Sequence, residues 1–259
     1  MDLGIAGRNA IVCGASAGLG RGIATALARE GVNVFAAARG EERLKAAAKD
    51  IARETGGKIE AVVADVTTED GRATLLAACP QADILVNNAG GPPPGDFRNW
   101  SRDEWIKAID ANMLSAIMLI KSTIDNMIER RFGRIVNITS HMVKQPVGLL
   151  GLSNGARAGL TGFSGGLARD VARYNVTVNN MLPGQFDTDR LQSNHQKFAA
   201  ARNVPLQQFQ DEARELVPAK RFGTPAEFGA LCAFLCSTHA GYITGQNILL
   251  DGGQYPGLM

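Results

Sequence analysis

The chain has 259 residues, 45% of them hydrophobic, and 27 Lys and Arg against 25 Asp and Glu give a formal net charge of +2. That length buries a full core as one large α/β domain, and the near-balanced, interspersed charge excludes the footprint of a nucleic-acid or anionic-membrane binder, leaving a small molecule as the expected partner. No stretch approaches the roughly 20 apolar residues of a membrane span, and the N-terminus lacks the basic flank and apolar run of a signal peptide, so a cytoplasmic protein is expected.

Apolar runs rich in β-branched residues alternate with helical patterns along the chain, the rhythm of βαβ units and a parallel sheet. The predicted strands are AIVCG near 10, NVFAAA near 33, IEAVVA near 59, DILVNN near 83, RIVNIT near 134, VTVNNML near 176 and NILL near 247. Between them, GRGIATALARE closes on Gly31 as a helix C-cap, and EERLKAAAKDIARE places Leu44, Ala48 and Ile51 on one face, with Glu41 and Lys45 spaced for an exposed ion pair. SRDEWIKAIDANMLSAIMLIKSTIDNMIERR reads as one long helix opened by a capping box of Ser101 and Glu104. The stretch from 190 to 220 is polar and the least regular part of the chain, interrupted by Pro205 and Pro218, and is the expected place of a substrate lid. Neither a disulfide framework nor a metal site is expected, because Cys13, Cys79, Cys232 and Cys236 form no CxxC pair and His141, His195 and His239 are scattered. Cys232 and Cys236 share a helical face and read as core packing.

The chemistry begins after the first strand. Gly14, Gly18 and Gly20, with Ser16, Ala17 and Leu19 between them, form a glycine-rich turn that opens a helix. Such a turn lets a pyrophosphate approach the backbone, where the helix N-terminus offers unpaired N–H groups, so a dinucleotide site is expected. At the end of the second strand, where a carboxylate would accept from a ribose 2′-hydroxyl, the chain has Ala38 and Arg39. Arg39 can pair with a 2′-phosphate, which favours NADP(H) over NAD(H); stacking on adenine or facing solvent are its other readings.

These residues resemble the short-chain dehydrogenase/reductase family, in particular its 3-oxoacyl-carrier-protein reductase-like members. The resemblance rests on the glycine spacing, on Asp65-Val66, on Asn87-Asn88-Ala89-Gly90, on Asn112, on Ser140 closing NITS, on Pro183-Gly184 with Thr188, and on RFGTPAEFGALCAFLCS followed by YITGQNILLDGG. It covers nearly the whole chain. It implies a single Rossmann-type, doubly wound domain spanning 1–259, with a seven-stranded parallel sheet and helices on both faces, assembled as a homotetramer. By the same resemblance Asp65 and Val66 meet adenine, Asn88, Ala89 and Gly90 line the cofactor, Pro183, Gly184, Phe186 and Thr188 contact the nicotinamide, and Asn112 and Ser140 are catalytic.

One helix departs from the pattern. In the family a Tyr about thirteen residues after the active-site Ser donates the proton, and a Lys four residues later lowers its pKa and holds the nicotinamide ribose; those counts fall on Ser153 and Arg157. Gly155, Gly159, Gly162 and Gly166 lie on one side of this helix, implying close packing by a neighbouring subunit or the sheet, while Ser153 and Arg157, with Ser164 beneath, project opposite into a cleft. Tyr174 lies too far along to substitute. Ser is a poor acid and shorter than Tyr, so Ser153 is expected to hold the substrate oxygen or a bridging water. Arg157 is expected to hold ribose hydroxyls and stabilise an alkoxide, with Ser140 on the carbonyl oxygen and Asn112 supporting an ordered water. His141 and Lys144 are alternative proton sources. The leading expectation is therefore an oxidoreductase acting between a nicotinamide cofactor and a carbonyl or secondary alcohol. The rival is a nucleotide-binding homologue with a binding or regulatory role, and a third reading lets the substrate bring its own acidic group.

Overall fold

In the computed structural model, which describes residues 1–257, seven strands form one sheet: β1 Asn9–Cys13, β2 Asn33–Ala38, β3 Ile59–Val63, β4 Ile84–Asn87, β5 Gly133–Ile138, β6 Val176–Pro183 and β7 Asn247–Leu250. Every pairing is parallel, in the order β3-β2-β1-β4-β5-β6-β7. All seven predicted strands are present. The chain runs outward from β1 to β3, then returns to lay β4 against the other side of β1, which makes the β1/β4 junction the crossover where doubly wound sheets bind ligands.

The strands are short and apolar on both faces because both are covered. On one side Ala10, Val12, Val34, Ile84 and Val136 pack under Ile23 and Leu27 of α1 (Gly18–Arg29), Leu44 and Ile51 of α2 (Glu41–Thr55), and Phe228 of α9 (Pro225–Cys236). On the other, Ile11, Leu85, Ile135 and Val178 meet Leu75 of α3 (Glu69–Ala78), Leu119 of α5 (Ser115–Glu129) and Ala168 of α6 (Gly151–Val171). Each such Ile, Leu or Phe contributes about 1.5–3 kcal/mol of burial. Cys232 and Cys236 belong to the first of these cores and, like Cys13 and Cys79, are buried and free. No helix among the described residues is long and apolar enough to cross a membrane.

Two expectations need correction. The pattern from 101 to 131 is not one continuous α-helix: α4 (Arg102–Ile109) and α5 are separated by a π-helical turn, Asp110–Leu114. The wider turn lets Asn112 sit buried, its Nδ2 donating to the Ala108 carbonyl at 3.2 Å. Such a local widening preserves the apolar periodicity on either side, which is why the pattern concealed it. The stretch from 190 to 220 is not irregular. It holds α7 (Asp189–Ala201), capped by Thr188, and α8 (Leu206–Glu215), packed through His195 against Phe209 and Phe222.

Candidate active site

The turn after β1 is shaped for a close ligand. Gly14 and Gly18 take φ of +63° and +52°, a region a side chain disfavours, and a Cβ on Gly20 would overlap the Gly14 carbonyl. Ala17 caps α1 without a side-chain hydrogen bond, so the first N–H groups of that helix keep no capping partner from it. Ser16, Ala17, Gly18 and Leu19 are half-buried, on the rim of the turn. Asn88 holds the turn from the next strand, donating from Nδ2 to the Cys13 carbonyl at 3.3 Å. Burial pushes the Cys13 thiol up to about 12, so it is a packing group.

At the end of β2, Arg39 is 79% exposed in its side chain and reaches Asp65 at only 3.9 Å. Burial raises the Asp65 carboxyl, but the Thr67 hydroxyl and amide and the Arg39 charge outweigh it and hold it below its ordinary value. The Val66 carbonyl is fixed by Arg72 at 3.0 Å.

Ser140 follows β5, and its Oγ accepts from the Met142 amide at 3.1 Å. Arg157, 9% exposed, reaches back to the same strand end: Nη1 donates to the carbonyls of Ile138 and Thr139, both at 2.7 Å, and Nη2 to the Ala89 carbonyl at 3.2 Å. Its Nε donates to Ser153 Oγ at 3.2 Å. One guanidinium thus ties Ser153 to the segment leading into Ser140 and to the loop after β4. Burial, and secondarily Arg190, lower its pKa to about 10, which leaves it charged at neutral pH.

Ser164 does not share this cleft. It is fully buried beneath the sheet and accepts from Asn137 Nδ2 at 2.9 Å. Asn137 also donates to Asn180 at 3.2 Å and accepts from Asn87 at 2.9 Å, and Asn180 donates to Asn247 at 2.8 Å. These four residues are register partners across β4, β5, β6 and β7. This asparagine ladder escaped the sequence reading, although four Asn in consecutive apolar strands were its visible signal. The Oδ1 atoms of Asn87 and Asn112 are buried with no partner, and both residues line a cavity of about 10 Å³ together with Arg157.

The glycine face of α6 divides. A Cβ on Gly155 would meet Trp105 at 3.0 Å and one on Gly159 would meet Met113 Sδ at 2.8 Å, whereas Gly162 and Gly166 have no atom within 4 Å of that position. Close packing on the first two comes from α4 and the π-turn of the same chain, not from the sheet.

Past β6, the Pro183 carbonyl bonds His141 Nδ1 at 2.9 Å, and Gly184 N donates to the Leu250 carbonyl at 2.8 Å. Phe186 turns its ring into the core against Phe228, leaving its backbone toward Thr188, whose Oγ1 donates to the Phe186 carbonyl at 3.3 Å. A Cβ on Gly18 would stand 3.3 Å from Thr188 Cγ2, which brings this segment over the glycine turn. Gly90 is open to solvent, with nothing near its Cβ position. The Lys144 ammonium stands 5.8 Å from the centre of the Tyr255 ring. Tyr174 stands beyond the end of α6, beneath the Arg173 guanidinium. No three His, Cys, Asp or Glu side chains converge among the described residues. The glycine turn, Arg39, Asp65, Asn88, Ser140 and Gly184 follow the C-terminal ends of β1, β2, β3, β4, β5 and β6, and Arg157 reaches the ends of β5 and β4 from α6.

A family model described as enoyl-(acyl carrier protein) reductase matches residues 14–254. The 3-oxoacyl-(acyl-carrier-protein) reductase FabG of Aquifex aeolicus is 33% identical over 260 residues, covering 98% of this chain and 100% of that one. Its counterpart from Chlamydia muridarum is 36% identical over 252 residues, covering 94% and 96%. Among solved structures, L-sorbose reductase from Gluconobacter frateurii, complexed with NADPH and L-sorbose, matches with a TM-score of 0.93 at 30% identity over 100% of both chains. YwfH, an NADPH-dependent reductase involved in bacilysin biosynthesis, matches at 0.92 and 29% over 98% and 100%.

Proposed function

The chain belongs to the short-chain dehydrogenase/reductase family and is an oxidoreductase of its FabG type; from that premise we propose that it prefers NADP(H) and interconverts a small-molecule carbonyl and alcohol through a proton-donor site in which Ser153 and Arg157 stand in place of the family's Tyr and Lys. The bound dinucleotide would supply or accept the hydride. The glycine turn fits its diphosphate, because the backbone there leaves no room for a side chain on Gly20 and presents the α1 N-terminus. Arg39, barely engaged by Asp65, has donors to spare for a 2′-phosphate, and the NADPH complex of L-sorbose reductase and the NADPH dependence of YwfH support that preference.

Ser140 and Ser153 each accept one hydrogen bond, from the Met142 amide and from Arg157, so each hydroxyl keeps its hydrogen to donate. Aimed at one carbonyl oxygen, two such donors stabilise the developing alkoxide. Arg157 makes Ser153 a stronger donor through its charge, but three of its hydrogen bonds end on main-chain carbonyls, so it acts mainly as a clamp with one Nη2 hydrogen left over. Ser153 relays rather than originates the proton, which comes from water; one water in the cavity beside Asn87 and Asn112 would satisfy both orphaned oxygens. The solvent-facing half of the α6 glycine face supports a homotetramer as the working assembly.

The observation that carries this reading is that Arg157 joins Ser153 to the Ser140 strand end on the same sheet edge as the glycine turn. The test is titration of NADPH and NADH by fluorescence, followed by turnover on a panel of ketones, sugars and 3-oxoacyl thioesters. Tight NADPH binding with turnover supports it, and binding with no turnover on any substrate sinks it in favour of a regulatory nucleotide-binding role. The double change Ser153→Tyr with Arg157→Lys should raise ketone reduction if the pocket is otherwise competent.

A further inference from the structure

Gly91 separates two cations that lack an anion among the described residues. A Cβ on this residue would stand 3.3 Å from Nη2 of Arg190 and 3.5 Å from Nη2 of Arg157. Arg190, in the first turn of α7, donates from Nη2 to the Gly91 carbonyl at 3.0 Å. Its Nε and Nη1 have no partner among the described residues. Among the described residues no carboxylate forms an ion pair with either arginine. The acids on the neighbouring segments are engaged elsewhere: Asp189 with Arg43, Asp187 with Gln192, and Asp96 with Arg98. The loop between the two guanidinium groups, Gly91 to Gly95, contributes only backbone, Pro and Gly.

Two like charges flank one glycine, Arg157 buried and Arg190 exposed, and solvent screens their repulsion on the Arg190 side only. Main-chain carbonyls offset part of the cost for Arg157, but a full counter-charge is missing. The same two groups present a planar fork and several free N–H donors, the arrangement that recognises a carboxylate or phosphate. Arg157 also holds Ser153 and the Ala89 carbonyl, so this pair lies on the Ser153 side of the loop after β4, whereas the glycine turn has its own N–H donors for a diphosphate.

We propose that Arg157 and Arg190 form a receptor for an anionic group on the substrate, which makes the substrate class a 2-oxo or 3-oxo acid or the corresponding hydroxy acid. The short spacing follows from Arg157 itself: one guanidinium touches Ser153 and borders the anion position, so the carboxyl and carbonyl carbons are adjacent or one carbon apart. The proposal rests on the reductase reading of Ser153 for the carbonyl, but not for the anion.

The experiment measures binding rather than turnover. NADP+-saturated protein, whose cofactor has no hydride to give an oxo acid, is titrated by calorimetry with pyruvate, acetoacetate and 3-oxohexanoate, with their methyl esters as uncharged equivalents, and the series is repeated on Arg190→Gln and Arg190→Lys. At least one acid should bind about tenfold or more tightly than its ester, Arg190→Gln should abolish that preference, Arg190→Lys should restore part of it, and the NADPH Kd should stay within about threefold. If Arg190→Gln instead weakens NADPH about tenfold and leaves the acid–ester ratio untouched, the arginines serve the cofactor diphosphate and the proposal is overturned. Equal binding of acids and esters, or no binding of any acid, overturns it as well. Selective acid binding without hydride transfer leaves the receptor standing and removes the reductase reading, so the two failures are distinguishable.

Discussion

Arg157 donates from Nε to Ser153 Oγ at 3.2 Å, one turn back on the same helix, while its two Nη groups bind the carbonyls of Ile138, Thr139 and Ala89. The pair divides two tasks. Arg157 fixes the strand ends and occupies the acceptor side of the Ser153 hydroxyl; Ser153 is left with a hydrogen to give.

Ser153→Ala removes that hydrogen and little packing. Stability should change by less than about 1 kcal/mol, the net worth of one partly exposed hydrogen bond, while kcat on a competent substrate falls by about 10²–10³, as for the loss of an oxyanion donor. Urea unfolding and steady-state kinetics on the same sample separate the two effects.

Arg157→Met keeps the aliphatic length and deletes every donor. With the carbonyls of Ile138, Thr139 and Ala89 deprived of Arg157 in a buried setting, unfolding free energy should drop by about 2–4 kcal/mol, and Arg157→Lys should recover only part of it because one ammonium cannot span all three carbonyls. An unchanged denaturation midpoint for Arg157→Met would show that the clamp contributes nothing.

The ladder from Asn87 to Asn247 should be cooperative. Asn137→Ala strands Ser164, Asn180 and Asn87 at once, so its cost, about 2–4 kcal/mol, should exceed that of Asn247→Ala at the exposed end of the row. Chemical denaturation of the two variants makes the comparison.

Arg39→Ala should weaken NADPH by about 10- to 100-fold, the worth of a hydrogen bond to a charged group, and change NADH by less than about threefold. Fluorescence titration with both nucleotides reads the ratio directly. A parallel loss for both would assign Arg39 to the adenine instead.

On the acid side, Glu227 is held at about 2 by the Arg221 guanidinium, with the Thr224 amide and hydroxyl adding to it, where the ordinary value is 4.5. Because the folded value is the lower one, its contribution is complete above about pH 4.5 and is lost as pH falls toward 2. Glu227→Gln should flatten the acid limb of a stability–pH curve over that interval and leave the curve above it parallel to that of the unaltered protein.

How far the sequence reached can be followed residue by residue. The strands were legible because a two-faced parallel sheet requires apolar runs such as AIVC and VFAAA, and the glycine turn was legible because its backbone tolerates no substitute at Gly20. The break at Asp110–Leu114 was not, since one extra residue in a turn leaves the apolar pattern on both sides intact. Ser164 was assigned to the cleft from a helical wheel, but a wheel carries no information about which neighbour lies above each face. Arg190 escaped because nothing local marks an arginine that lacks an acid; that is a property of everything around it.

Local chemistry along the chain, apolar runs, glycine spacing and the presence of Ser153 and Arg157 four residues apart, therefore determined the sheet, the glycine turn after β1 and the placing of Ser153 and Arg157 on one helix. The tertiary structure alone decided what those side chains touch. Strand register aligned four asparagines into one ladder, and the docking of α6 along β6 brought the donors of Arg157 to backbone carbonyls at the end of β5 and after β4. The approach of α7 to the loop after β4 set Arg190 beside Arg157. Each of these joins residues from about 20 to 100 positions apart in the chain, and contacts over such separations are set by packing geometry, to which a periodic pattern is blind.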